Sequence, residues 1–454
     1  MSTTSDESLT TKEQPIIAGE PGVPVAMNDA LTEPVKEAPA KIPSLWYNRD
    51  YLLLWGGQLV SSLGSNISGF AFPLLVLFLT GSPAQAGFLG AARSIPYLVF
   101  SLPVGALIDR WDRKRVMILC DTGRAIALGS IALVYALYGT VPLFQLYLVT
   151  IVEGSLFVFF NIAEVACLPR VVSKEQLPAA TGQNQASEIF AVLAGSPLAG
   201  VIYSFSKILP FAADAVSYAA SVISLFFIKA QFQGARTGEH RNLWEEIKEG
   251  LVWLWSQPLI RFMAFLTGGL NFNSGTFLIV IVIAQRQGAS PTVIGILFAI
   301  GSVGGIVGSV IGPFIQKRFS FGAVIISMTW VQALALPLYI IAPNPYFLGL
   351  ITAVIFVTSP IYNVVQFSYR LALIPDTLQG RVNSVFRLLA FGFIPLGMGL
   401  TGWLLEKVDV GPTTLAFTAC LVALSIAASI NPHVRHAKPL AEVEAELAAA
   451  KASQ

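Results

Sequence analysis

The densest run of charge in this chain lies at residues 105–115, GALIDRWDRKR, where six charged side chains fall within seven residues. About twenty apolar residues precede the run, and another apolar segment begins at Val116. A charged connection this short between two apolar segments is typical of a turn between two membrane-spanning helices. The stretch therefore predicts a membrane fold, and similar apolar segments recur along the chain.

The composition places most of the chain out of contact with water. Of its 454 residues, 54% are hydrophobic and 12% are charged, about half of the roughly 25% charge of a soluble domain. The apolar segments are continuous rather than alternating, which favours helices over a β-barrel. The net charge of +2 indicates no nucleic-acid partner. The cysteines and histidines form no zinc, haem or disulfide spacing, so we expect no metal and no cofactor.

Twelve apolar runs are long enough to cross a membrane as helices, since backbone groups in lipid must be hydrogen-bonded internally. They are residues 50–79, 84–108, 115–138, 142–167, 180–206, 208–229, 258–284, 291–316, 321–342, 345–368, 382–405 and 411–430.

The distribution of basic residues predicts the orientation. The connections on one side carry only Lys207, Arg286 and Lys407, whereas those on the other side carry fourteen Lys and Arg residues. The basic side faces the cytoplasm by the positive-inside rule, so both termini are expected there.

The organisation follows from the runs and from the segments between them. We expect a disordered cytoplasmic tail at 1–43, a six-helix bundle at 44–229, a cytoplasmic linker at 230–257, a second six-helix bundle at 258–432 and a cytoplasmic tail at 433–454. The linker contains LWEEIKEGLVWLW, whose apolar residues share one helical face. That helix either lies on the membrane surface or packs on the bundle.

The two halves resemble each other, and the chain resembles a known family. Residues 87–115 are similar to residues 295–322, where Gln316 stands at the place of Asp109. The family signature Gly-x-x-x-Asp-Arg-x-Gly-Arg-Arg/Lys is filled here, with Asp112 at the place of its second Gly, by Gly105, Asp109, Arg110, Arg113 and Lys114. The chain is thus similar, over about residues 50–430, to the major facilitator superfamily. This resemblance implies an all-α polytopic membrane protein of twelve transmembrane helices in two pseudo-symmetric six-helix bundles.

Four stretches resemble one branch of that family, the drug-efflux group that includes macrolide and enterobactin (siderophore) exporters. They are PYLVFSLPVGALIDRWDRKRVM, ACLPRVVSKEQLPAATGQNQ, PFAADAVSYAAS and DTLQGRVNSVFR.

The resemblance implies a role for the charged turn. Asp109 is expected to face the N-terminus of the eleventh helix, around residues 381–384, where the positive helix end attracts a carboxylate. Arg110, Arg113 and Lys114 would add pairs across the two halves, and together they would form a latch that closes the cytoplasmic side. The alternative is that the cluster only sets the topology.

Ionisable groups within the membrane are costly and are therefore functional candidates. Counting about 1.5 Å per residue places Arg93, Arg124 and Glu153 near the middle of the membrane. We expect Glu153 to lie within reach of Arg124 or Arg93, either as the proton-coupling acid or as part of a permanent ion pair. Asp121 lies one turn from Arg124 and could join them.

Four further charges are secondary candidates. Glu164 and Glu188 are expected to pair with Arg170, Lys174 or the Arg113–Lys114 group, and the alternative is that they carry protons. Asp214 is expected to cap or pair locally, with Lys207 as one candidate partner, and Arg387 to join the cytoplasmic latch.

The second half has few buried acids. Its predicted cavity-facing groups are uncharged: Asn271, Asn273, Gln332, Tyr362, Asn363 and Gln366. A cavity of this kind suits large amphipathic substrates. The glycines of GSVGGIVGS, at 301–309, predict close helix packing and not a phosphate loop.

These patterns predict a secondary transporter, not an enzyme, that exports a drug-like or siderophore-like amphipathic compound by alternating access in exchange for protons. We expect a monomer in the cytoplasmic membrane, with a small-molecule substrate and the lipid bilayer as its partners. The alternatives are a transporter or flippase of a lipid-like substrate and a non-transporting receptor on the same fold.

Overall fold

The structure is a computed structural model that describes residues 44–101, 103–108, 110–232, 243–375 and 378–437, with residues 439, 440, 442 and 445 beyond them. The predicted N-terminal tail, Asp109, residues 233–242 of the predicted linker and most of the C-terminal tail lie outside the described residues.

Helices make up nearly all of the described chain. Short 3-10 helices lie at Leu45–Tyr47, Asn273–Gly275 and Leu336–Tyr339. The α-helices are α1 Arg49–Thr80, α2 Pro83–Phe100, α3 Pro103–Ile108, α4 Arg113–Tyr138, α5 Leu143–Val171, α6 Leu177–Phe205, α7 Leu209–Phe227, α8 Leu243–Ser256, α9 Pro258–Phe272, α10 Thr276–Arg286, α11 Pro291–Arg318, α12 Phe321–Ala335, α13 Pro345–Leu373, α14 Gln379–Lys407, α15 Val410–Ile430 and α16 Pro432–Arg435.

The helices correspond to the predicted apolar runs. Within the described residues, 11 spans are long and apolar enough to cross a membrane, with α9 and α10 counted as one span. The remaining predicted run, 84–108, is covered by α2 and α3. Helix α2 has 18 residues and carries Arg93, which lowers its hydropathy. The chain is therefore an all-α, multi-pass membrane protein.

Short polar caps fix the helix ends. The side chain of Asp112 accepts a hydrogen bond from the backbone N–H of Arg115 at 3.0 Å and so caps the N-terminus of α4. Its φ of −67° is an ordinary value for any residue. The turn therefore does not need the glycine that the family signature has here, and capping accounts for one of the two acids in the charged stretch.

Three hydrophobic clusters define two ends of the molecule. One cluster contains side chains from both halves, including Phe70 and Leu75 of α1 and Leu278 and Leu297 of the second half. The other two clusters are separate: one lies wholly in residues 51–232 and one in residues 254–434. We call the end with the separate clusters, where α4 and α14 begin, the basic end, and the other the opposite end.

Glycines bring the backbones of the two halves into contact at the opposite end. A Cβ atom on Gly402 of α14 would lie 2.5 Å from the Pro83 carbonyl oxygen of α2 and 2.8 Å from the Gly87 Cα. A Cβ atom on Gly295 of α11 would lie 2.6 Å from the Ser196 carbonyl oxygen of α6. Only glycine allows helices to approach this closely. The predicted close packing of the 301–309 stretch is also present, since Gly304 and its neighbours face the backbone of α13.

The amphipathic helix predicted in the linker packs on the bundle through one of its faces. Leu254 of α8 is fully buried in the second-half cluster. Arg381 at the start of α14 binds the carboxylates of Glu246 and Glu249. Leu251, which the sequence places on the same apolar face, is instead exposed.

Candidate functional site

A cavity of about 900 Å³ lies between the two halves. Its wall toward the opposite end is aromatic: the ring of Phe70 from α1 lies 6.0 Å from that of Phe277 and 5.5 Å from that of Phe298, both of which belong to the second half. Its lining continues to the basic end through Trp55, Pro169 and other residues. The cavity is therefore closed toward the opposite end and extends toward the basic end.

A buried ionic network forms one wall of this cavity, with Arg124 of α4 at its centre. One guanidinium nitrogen lies 3.1 Å from Glu153 Oε1 and another lies 3.4 Å from Asp121 Oδ1. The guanidinium carbon lies 3.9 Å from the centroid of the Tyr218 ring. Arg124 is 2% exposed, so these neighbours, and not water, stabilise its charge.

Glu153 of α5 lies between two arginines. Its other carboxylate oxygen, Oε2, is 3.3 Å from Nε of Arg93 on α2. The prediction that Glu153 lies within reach of Arg124 or Arg93 is confirmed for both. The Arg93 side chain is one-third exposed and lines the cavity, so it connects the buried network to the cavity interior.

Helix α7 extends the network with two residues one turn apart. Asp214 is buried and accepts hydrogen bonds from Ser68 Oγ at 2.5 Å and Ser217 Oγ at 3.0 Å. Asp214 thus bonds locally to Ser217, whereas its candidate partner Lys207 lies with its ammonium over the Phe78 ring. Tyr218 was not predicted, although its spacing of four residues from Asp214 puts both side chains on one helical face.

Glu164 and Glu188 do not have the cationic partners that the sequence predicts. Both line the cavity. Glu188 accepts a hydrogen bond from Ser62 Oγ at 2.7 Å. Among the described residues, no hydrogen bond or ion pair reaches the Glu164 carboxylate. The predicted pairs fail because these acids face the space between the halves, whereas the hydrogen bonds of Arg113 and Lys114 point elsewhere.

The charged turn is only partly described. Asp109 lies outside the described residues, Gly105 is half-buried and Arg110 is exposed. Arg113 donates to the Ala166 carbonyl at 2.9 Å, and Lys114 donates to the Ile228 carbonyl at 2.7 Å. In this structure the Lys114 ammonium thus binds a carbonyl at the end of α7 in its own half. Its pairing across the halves stays a prediction for the state in which the basic end is closed.

Contacts across the halves involve other charges. At the basic end, Arg387 of α14 donates to the hydroxyl of Tyr97 of α2, so Arg387 does bridge the halves. At the opposite end, Glu406 accepts from Ser82 Oγ and from the Ala84 N–H at the N-terminus of α2.

An exposed ion pair lies within the second half, near the contact of Glu406 with α2 in the sequence. In this pair, Arg286 binds Asp409 in the loop after α14. The Val410 N–H and Arg286 hold the pKa of Asp409 below its ordinary value.

A second, smaller cavity of about 310 Å³ lies within the second half. Five of the six uncharged residues predicted to face a cavity line it: Asn271, Asn273, Gln332, Tyr362 and Asn363. Gln366 is buried and is not part of this lining. Phe277, Phe298 and Phe356 line both cavities, so the two spaces are neighbours.

Comparison with known proteins identifies the family to which this architecture belongs. The family model of the Major Facilitator Superfamily matches residues 54–398, most of the described helices. This chain belongs to the Major Facilitator Superfamily. It is therefore a membrane transporter.

Curated relatives of this superfamily member are efflux proteins. The multidrug efflux pump Tap of Mycolicibacterium fortuitum is 26% identical over 404 residues, which are 85% of this chain and 96% of that protein. Macrolide efflux protein A of Streptococcus pyogenes is 24% identical over 396 residues, with 85% and 96% covered. A solved structure of a variant of the nucleoside transporter NupG has the same fold, with a TM-score of 0.70 at 14% identity over 84% of this chain and 99% of that one.

Proposed function

We propose that this protein exports a drug-like or siderophore-like amphipathic compound across the cytoplasmic membrane by alternating access, in exchange for protons. One observation carries the proposal. The halves share a single hydrophobic cluster at the opposite end and have separate clusters at the basic end, with the cavity between them. A cavity closed at one end and open at the other is one of the two states that alternating access requires.

The orientation makes the basic end cytoplasmic. Its turns carry most of the Lys and Arg residues of the connections, which the positive-inside rule places in the cytoplasm along with both termini. The cavity then faces the cytoplasm and takes up substrate from it, as a single chain acting alone. Efflux by the curated relatives supports the same direction.

The ionic network supports proton coupling. Its ion pairs join the carboxylates of Asp121 and Glu153 to the guanidinium groups of Arg93 and Arg124. We count with it the buried carboxylate of Asp214, which serine hydroxyls hold on the neighbouring helix α7. With every group ionised the cluster carries one negative charge, and one bound proton makes it neutral. An unbalanced buried charge is costly in the membrane, so the cluster favours taking up one proton. Glu153 is the proposed carrier, because a buried acid that is paired with a cation can exchange that partner for a proton when the pair separates during the cycle.

Export assays in whole cells test this proposal. We expect the wild type to export members of a panel of macrolides, dyes and siderophores, and a protonophore to stop that export. Glu153→Gln and Asp109→Asn are each expected to abolish it. Asp112→Asn makes the same charge change in the same turn, and Asn also caps helices, so this control should export as the wild type does.

The outcomes separate the parts of the proposal. Normal export by Glu153→Gln would assign coupling to another acid of the network. Export that survives the protonophore would contradict proton coupling. Absence of export for every compound would contradict efflux and favour a lipid-like substrate or a receptor.

The unpaired acid in the cavity predicts a preference for cations. Glu164 lies on the cavity wall without a cationic partner among the described residues. A bound cation near it would gain about 1–2 kcal/mol in this partly hydrated setting, a factor of roughly 5–30 in affinity. We expect Glu164→Gln to weaken the binding of tetraphenylphosphonium to the purified protein by that factor. Equal affinity for this cation in the variant and the wild type would contradict the preference, and Glu175→Gln, in an exposed turn, is the matched control.

A further inference from the structure

The seventh predicted span is broken where it meets the smaller cavity. Helix α9 ends at Phe272, a 3-10 turn covers Asn273–Gly275, and α10 begins at Thr276. The sequence explains the break, because Asn, Ser and Gly are poor helix formers. Helix α14 packs directly on the break through Gly397, which faces the Phe272 carbonyl. Breaks of this kind near the membrane centre are tolerated where they line a cavity.

Two polar atoms at the break are buried without a hydrogen-bond partner among the described residues. They are Oδ1 of Asn273 and Oγ of Ser274, and both residues line the smaller cavity. Asn273 is 7% exposed, and its amide nitrogen is already used on the Gly269 carbonyl at 3.0 Å. The Cys420 thiol faces the same side chain, but a thiol is a weak donor.

Most other polar side chains of this cavity are paired. Gln332 donates to Thr358 Oγ1 at 2.6 Å, and the hydroxyls of Tyr362 and Thr267 lie 2.8 Å apart. Asn273 and Ser274 are therefore exceptions. A buried polar atom without a partner costs free energy, so such atoms at a cavity wall are suited to a ligand that supplies the missing hydrogen bonds.

Among the described residues, the lining of the smaller cavity contains no Asp, Glu, Lys, Arg or His. The larger cavity, by contrast, is lined by Arg93, Arg124, Glu164 and Glu188. Phe277, Phe298 and Phe356 separate the two spaces. A molecule that fills both thus meets charge in one part, aromatic rings in the middle and neutral hydrogen-bonding groups in the other part.

We propose that the smaller cavity is a subsite for an uncharged, hydroxyl-rich group of the substrate, such as a glycosyl group, and that Asn273 and Ser274 recognise it. Asn273 Oδ1 accepts a hydrogen bond from a substrate hydroxyl, and Ser274 Oγ donates or accepts a second. The proposal rests on the proposed export function and names the second recognition element of its substrate.

Binding of two matched probes to the purified full chain tests this subsite. The probes are tetraphenylphosphonium and a triphenylphosphonium whose fourth arm carries a glucosyl group. We expect Asn273→Ala and Ser274→Ala each to weaken binding of the glucosyl probe by about 5- to 10-fold, and to leave tetraphenylphosphonium binding unchanged. Unchanged binding of the plain probe also shows that the variants are folded.

A control variant and two contrary results complete this test. Ser309→Ala removes a hydroxyl that is satisfied within α11 by the Gly305 carbonyl, and this variant should bind both probes as the wild type does. Equal affinity of the glucosyl probe for the wild type and both subsite variants would overturn the subsite and leave the export function standing. Failure of the wild type to bind either probe would overturn both.

Discussion

Arg124→Gln is expected to lower the free energy of unfolding by about 3–5 kcal/mol and to abolish export. The substitution removes the only cation that pairs with Asp121 among the described residues and one of the two that pair with Glu153. Losing one partner of a buried pair leaves an uncompensated buried charge, which accounts for the size of the effect. Thermal and denaturant unfolding in detergent measure the stability, and the export assay measures the function.

Arg93→Gln is the matched control, because it makes the same chemical change beside the same glutamate. Its side chain is one-third exposed and makes a single ion pair with the part of the chain that the structure describes, so the expected loss is about 1 kcal/mol. The double variant Arg124→Gln with Asp121→Asn removes the carboxylate that Arg124→Gln leaves unpaired. We expect it to recover most of the stability without recovering export. Equal destabilisation by Arg124→Gln and Arg93→Gln would contradict a network organised by Arg124.

Depth within the membrane could be predicted from the sequence, and the rotation of each helix could not. A fixed rise per residue places Arg93, Arg124 and Glu153 at one level whatever the packing, and the structure joins all three. Which face of a helix turns inward depends on its neighbours. The sequence therefore predicts that Glu164 and Glu188 pair with the nearest cations, whereas in the structure α5 and α6 turn these acids toward the cavity.

The contacts between the halves also could not be predicted from a single sequence. Glu406 meets Ser82 across 324 residues, and neither belongs to a motif that links them. The fold itself depended on patterns that a sequence does carry, which are apolar runs of membrane length, basic connections on one side and the signature around Gly105. Asp112 is only partly predictable from the sequence. Its role as the N-cap of α4 becomes clear only once the first residue of that helix is known.

Gly402→Leu is expected to hold the protein open at the opposite end and to reduce export strongly. A Cβ atom at this position meets backbone atoms of Pro83 and Gly87 at 2.5–3.0 Å, and backbone cannot move aside as a flexible side chain can. Overpacking of this kind costs about 1–3 kcal/mol. The cost falls only on the state in which α2 and α14 touch, so the ratio of the two states shifts by about 5- to 150-fold.

Labelling separates this effect from simple damage. The labelling site is Met398→Cys, in a background without the native cysteines. Met398 precedes Gly402 by about one turn of α14 and lies beside Gly90 of α2. An impermeant maleimide added on the side of the opposite end should label it faster in the Gly402→Leu variant. Gly392→Leu makes the same change on the same helix where nothing lies within 4 Å of the added Cβ, and it should change neither labelling nor export. If Gly402→Leu lost export without faster labelling, the glycine contact would be part of the static packing, and the closure of the opposite end would have to depend on Glu406 and the shared hydrophobic cluster instead.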